Sequence, residues 1–152
     1  MKDRHELYAK FGIAAEAAQL FETELGTLLL ALRGLENGWN VIPDGQAALK
    51  VVNDIDRSTL GRMLKNLKPH IYFEDGMENL FESALEARNR LTHGFFEKHN
   101  FKVQTEEGRK AMISDLDRLH GKLFKAWQLA SRLTSHSVSI VRHREQSGQE
   151  DS

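Results

Sequence analysis

Apolar residues recur along the first part of the chain in alternating steps of four and three: Leu7, Phe11, Ala14, Ala18, Phe21, Leu25, Leu28, Leu32 and Leu35. That spacing follows one side of an α-helix and predicts a long amphipathic helix over roughly 6–35. Ala15, Ala17, Leu20 and Leu29 broaden the stripe, which favours a bundle helix over one strand of a two-stranded coil. Gly12 and Gly26 weaken that helix but permit close packing.

The stretch 34–40 ends the first helix, and Pro43-Asp44-Gly45 is turn chemistry. A second helix is expected over 46–54, carrying Ala48, Leu49, Val52 and Ile55. A third follows over 58–68, capped from Asp56-Arg57-Ser58 and stopped by Pro69. Its Leu60, Met63, Leu64 and Leu67 share one face, while Arg62, Lys65 and Lys68 form a basic edge. After a connector at 70–73, Asp75 offers a cap for a central helix, with Glu78 at the capping-box position. Met77, Leu80, Phe81, Ala84 and Leu85 give that helix its apolar stripe.

Past Phe96 the chain turns through 97–100, and Phe101-Lys102-Val103-Gln104 alternates like a strand. A lone strand has nothing to pair with, so an extended loop is expected there. Thr105-Glu106-Glu107 opens a last helix reaching about 134, with Met112, Leu116, Leu119, Leu123, Ala126, Ala130 and Leu133 on one face. These elements predict an all-α, up-and-down bundle of four to five helices: one domain over 1–134 and a polar, disordered tail over 135–152.

Composition narrows the chemistry. The 152 residues are 40% hydrophobic and 28% charged, the balance of a water-soluble globular chain able to bury a core without staples. There is no cysteine, hence no disulfide, no thiolate nucleophile and no cysteine-ligated metal. That suits the cytoplasm, the expected location. The charged start leads into no signal-type apolar run, and the longest apolar run, 28–32, is too short to span a membrane. A net charge of −1 exerts no global pull on nucleic acid, so any RNA contact must come from a local patch.

One residue breaks the central stripe. At about 100° per residue, Arg88 falls near the middle of the apolar arc, flanked by Leu91 and Phe95. Burying a guanidinium unpaired costs several kcal/mol, so the fold must supply a carboxylate, a phosphate or a wet cleft. Glu24 projects from within the first helix's stripe and Glu22 lies near its other margin. Glu24 is thus the leading candidate for the acidic partner of Arg88, the alternative being a carboxylate reaching to water from the stripe's edge. His93 follows five residues after Arg88, beside the helix-ending Gly94.

Arg88-Asn89-x3-His93 resembles the Arg-x4–6-His motif of HEPN domains, usually written with a polar residue after the arginine. The resemblance spans roughly 7–133, including the long first helix, the 58–64 segment and Leu91-Thr92-His93-Gly94-Phe95-Phe96. It implies a metal-independent endoribonuclease, needing no cofactor, commonly a homodimer whose motif helices face each other. Such proteins are common in toxin–antitoxin and antiphage systems, so a cognate antitoxin is an implied partner besides RNA or a nucleotide. The resemblance makes Arg88, His93 and Asn89 the catalytic candidates; Arg90, Lys98 and Lys102 are the cations near enough to contact RNA.

The side chains suit that chemistry. Histidine exchanges protons near neutrality, and arginine offers a planar fork to phosphate oxygens. A toxin branch of the family carries a tyrosine two residues after the histidine, the site of AMP attachment. Phe95 stands there in this chain, so that silencing cannot operate. The alternative reading is a non-cleaving HEPN dimer that binds a nucleotide, RNA or protein, with Arg88 and His93 as scaffold. His93, Glu97 and His99 lack the shared face and further ligand that a zinc site needs.

Overall fold

The computed structural model describes residues 2–74 and 76–137, and the expected Asp75 cap and most of the polar tail lie outside them. The described residues form an all-α helical bundle. Helix α1 spans Lys2–Glu36, α2 Gly45–Asp56, α3 Leu60–Leu67, α4 Met77–Thr92, α5 Phe95–His99 and α6 Glu106–Ser135. A 3-10 helix over Asn100–Gln104 joins α5 to α6. Helix α5 and the 3-10 helix replace the expected turn over 97–100 and extended loop over 101–104. A two-residue alternation carries no weight without a strand to pair with, and local i→i+3 bonding prevails. No described helix is long and apolar enough to cross a membrane.

The chain divides into two compact units, one of residues Met1–Phe21 and Glu78–Trp127, the other of Glu22–Met77 and Gln128–Ser152. The first unit's core draws Leu7, Ala14, Ala17, Ala18 and Phe21 from α1, Phe81, Ala84, Ala87 and Leu91 from α4, and Met112, Leu116, Leu119, Leu123 and Ala126 from α6. Phe21 stacks on Phe81 at a centroid distance of 5.8 Å. Each large side chain buried this fully contributes roughly 1.5–3 kcal/mol of transfer free energy. Leu20, expected within the stripe, is 48% exposed because it sits at the stripe's edge.

In the second unit, Leu25, Leu28, Leu29 and Leu32 of α1 and Leu60, Met63, Leu64 and Leu67 of α3 are all buried. The Thr59 hydroxyl caps α3 by accepting from the Arg62 N–H at 3.2 Å, and Asp44 caps α2 through the Ala47 N–H at 3.1 Å. Such caps are each worth about 1 kcal/mol. Gly26 is required by packing: a methyl there would lie 2.9 Å from Ile55 Cγ2 of α2. Leu49, expected on the inner face of α2, is instead 59% exposed, and Val51 is buried in its stead. The apolar positions of α2 span more than a half-turn, and the helix cannot bury them all.

Candidate functional site

The C-terminal end of α4 carries the motif. Burial of Phe81, Ala84, Ala87 and Leu91 fixes the rotation of the helix. Arg88 then lies on the buried arc but is only half-buried. One guanidinium nitrogen, Nη1, donates to Asn89 Oδ1 at 3.3 Å, and Arg88 is engaged beyond this bond as well. The Arg88 carbonyl accepts from the Thr92 hydroxyl at 2.9 Å. The His93 N–H still donates to the Asn89 carbonyl at 2.9 Å, so the helical bonding runs unbroken up to the histidine. His93 itself is exposed.

Gly94 then turns the chain with φ +79°, a left-handed conformation that side-chain-bearing residues adopt only at a cost. The chain re-enters the first unit's core at Phe95, which is buried, with its ring 5.8 Å from that of Phe11. Phe96 remains part-exposed over Phe11 and Tyr8, at 5.2 and 6.3 Å.

A second polar cluster lies nearby in the same unit. Asp115 of α6 is buried, yet both of its carboxylate oxygens are occupied. Arg90 donates to it in a two-pronged pair, Nη1 to Oδ1 at 2.9 Å and Nη2 to Oδ2 at 2.6 Å. His99 at the end of α5 donates from Nε2 to Oδ2 at 2.8 Å, and Arg118 donates to Oδ1 at 2.5 Å. The face of His99 packs on Phe95 with centroids 4.8 Å apart. Its Nδ1 is buried without a hydrogen-bond partner among the described residues.

Burial alone pushes the Asp115 carboxyl up. The hydrogen bonds from Arg90, His99 and Arg118 together outweigh that and hold it well below the usual carboxylate range. The Asp115 hydrogen bond, against the cost of burial, raises Arg90 in turn. Arg90 was expected as an RNA contact, but both ends of its fork are committed to a carboxylate. Lys98 and Lys102, by contrast, are exposed.

The motif residues Arg88, Asn89 and His93 thus share one helix end. Glu22 and Glu24 belong to the other unit. Both are half-buried, and Glu24 makes no hydrogen bond or ion pair within that unit's described residues. His120 is half-buried and stacks on Phe124 at 5.9 Å. Among the described residues no group of three or more histidine, aspartate or glutamate side chains is arranged to hold a metal ion.

Sequence reasoning missed Asp115, although the signal was present. The residue falls three after Met112 and four before Leu119, inside the α6 apolar face, as Arg88 does on α4. Chemically, the buried cluster can anchor backbone but cannot exchange protons with a substrate, since Asp115 and the His99 side chain are only 7% and 11% exposed. The exposed histidine and half-buried arginine at the end of α4 can do both proton transfer and anion binding. No protein-family model, curated protein sequence or solved structure matches the chain.

Proposed function

We propose that the protein is an endoribonuclease of HEPN type, acting without a metal ion, with Arg88 and His93 as its reacting residues and Asn89 holding Arg88. The observation that carries this reading is the pairing of a half-buried arginine with an exposed histidine five residues later, across an intact helix end. The Arg88-Asn89-x3-His93 resemblance supplies the reaction class.

In the proposed reaction a 2′-oxygen attacks the adjacent phosphorus and the 5′-oxygen leaves. The products are a 2′,3′-cyclic phosphate and a 5′-hydroxyl end. Arg88 balances charge on the crowded phosphorane, and Asn89 Oδ1 keeps its fork oriented. His93 exchanges protons with the attacking or leaving oxygen. Lys98 and Lys102 contact the RNA backbone on either side.

Geometry favours a site shared between two copies. Five residues on an unbroken helix separate side chains by about 7.5 Å along the axis and about 140° around it. The intact His93-to-Asn89 bond leaves no distortion to bring them together. An isologous homodimer with α4 near its two-fold axis would present Arg88 of one protomer to the phosphate beside His93 of its partner. A toxin–antitoxin or antiphage role, with a cognate antitoxin protein as partner, belongs to this reading.

The test is incubation of the purified protein with structured and unstructured RNAs in EDTA, beside His93→Ala. Cleavage that persists in EDTA and vanishes in His93→Ala is expected. Saturable RNA or nucleotide binding without cleavage would favour a non-cleaving HEPN-like binding dimer instead. A monomer by light scattering at micromolar concentration, with full cleavage activity, would remove the shared site.

A further inference from the structure

We infer that Asp115 is a positioning residue for the proposed RNA-cleaving site, clamping the segment that carries His93 from both ends. The inference rests on the reading of His93 as a reacting group. It begins from connectivity. Arg90 lies three residues before His93 and His99 six after it, on two different helices. Both donate to the same buried carboxylate on a third helix. Between those two tethers Leu91 and Phe95 are buried, while Thr92, His93, Phe96, Glu97 and Lys98 are exposed.

The segment 90–99 contains a left-handed glycine and a helix of five residues, too short to hold itself together. Without tethers it would open locally. With them, His93 is presented from a stretch whose buried Leu91 and Phe95 are flanked by the tethers at Arg90 and His99. A reacting imidazole must be held within a fraction of an ångström of its target, and misplacement by about 1 Å costs about 10²-fold in rate.

The clamp is specific to a carboxylate. Two oxygens accept four hydrogen bonds, from the Arg90 fork, His99 and Arg118. Asparagine offers one acceptor oxygen and places N–H groups against donors, so Asp115→Asn must break at least one tether. Arg90→Lys retains the charge and loses the fork, so it should loosen the segment less.

The decisive experiment measures native-state amide exchange and RNA cleavage in parallel, on wild type, Asp115→Asn, Arg90→Lys and His93→Ala. The clamp predicts that Asp115→Asn speeds exchange of the His93 and Lys98 amides at least about tenfold. Amides of Met63 and Leu64, in the other unit, should be unchanged. Its kcat should fall about 10–100-fold with little change in KM, and Arg90→Lys should show the same pattern more weakly.

Unchanged exchange at His93 and Lys98, or a wild-type kcat, in Asp115→Asn would overturn the clamp. So would a loss confined to KM. If Asp115→Asn does not fold, Arg90→Lys decides by the same two readouts. Wild-type cleavage by His93→Ala, or none by the wild type, would refute the ribonuclease reading alone. Exchange would still decide whether Asp115 holds the segment.

Discussion

Two arginines separated by one residue on α4 meet opposite fates. Arg90 is gripped at both prongs by a buried aspartate, at 2.9 and 2.6 Å. Arg88 donates to its exposed neighbour Asn89 at a longer 3.3 Å and is engaged elsewhere as well. The difference follows from about 200° of helix rotation between them and from what the opposing element offers. Toward α6 there is a carboxylate almost shut off from water, which must be neutralised by strong partners if it is to remain charged. A guanidinium so committed stabilises structure and has little left for a ligand. Arg88 is half-buried beside the exposed Asn89 and His93, and its guanidinium is the one the proposed reaction uses. The same contrast divides the histidines, with His99 enclosed and His93 open.

If that contrast is functional, substitutions on the two sides should separate chemistry from stability. The largest effect is expected for His93→Ala, with RNA cleavage falling roughly 10²–10⁴-fold while stability moves by less than about 0.5 kcal/mol. Equal losses in both would erase the distinction. Asp115→Ala comes next and on the other axis. Breaking a buried charged cluster costs about 3–5 kcal/mol, a large share of the 5–15 kcal/mol typical of a domain. Urea titration would read it, and a midpoint like that of the wild type would show the cluster to be ornamental.

Arg88→Ala should lose about 10²–10³-fold in cleavage and only about 1–2 kcal/mol in stability. Arg88→Lys should fold like the wild type and recover part of the rate, since it keeps charge without the fork. Smaller still is a pH effect on the buried side. Because the Asp115 carboxyl is depressed in the folded protein, its stabilisation is complete above the unfolded-state value near ~3.9 and is lost as pH falls toward the folded one. The stability difference between wild type and Asp115→Asn should therefore stay constant from neutral pH to about pH 5 and shrink only below about pH 4.

Much of the fold was legible because its cause is a period. Leu60, Met63, Leu64 and Leu67 are all buried as their spacing predicts, and so are Met112, Leu116, Leu119 and Leu123. Errors fell where a residue stood at the edge of a stripe, as with Leu20 and Leu49, or where a segment was too short to have a period. Residues 95–104 are of the second kind. Their two short helical turns are held by Phe95 burial, by the His99–Asp115 bond and by Gly108. A side chain on Gly108 would collide with the Lys102 carbonyl. All three causes are tertiary and leave no local signature.

The candidate site was half legible. An arginine within an apolar stripe drew attention to the end of α4, and its neighbour Asn89 does hold its guanidinium. The buried polar cluster instead involves Arg90, which was expected as an RNA contact. It takes meaning only from Asp115, twenty-five residues away on another helix. A pattern within one helix identifies a charge in need of a partner, but the partner depends on how helices pack.

The central claim is that Arg88 and His93 act on one phosphate across a two-fold axis, and subunit complementation tests it most directly. Arg88→Ala and His93→Ala would each be purified as inactive homodimers, mixed under conditions that exchange protomers, and assayed for RNA cleavage. Random exchange makes about half of the dimers mixed, each with one intact composite site, so activity should return to roughly a quarter of the wild-type level. No recovery, with mixed dimers demonstrably present, would contradict the shared site.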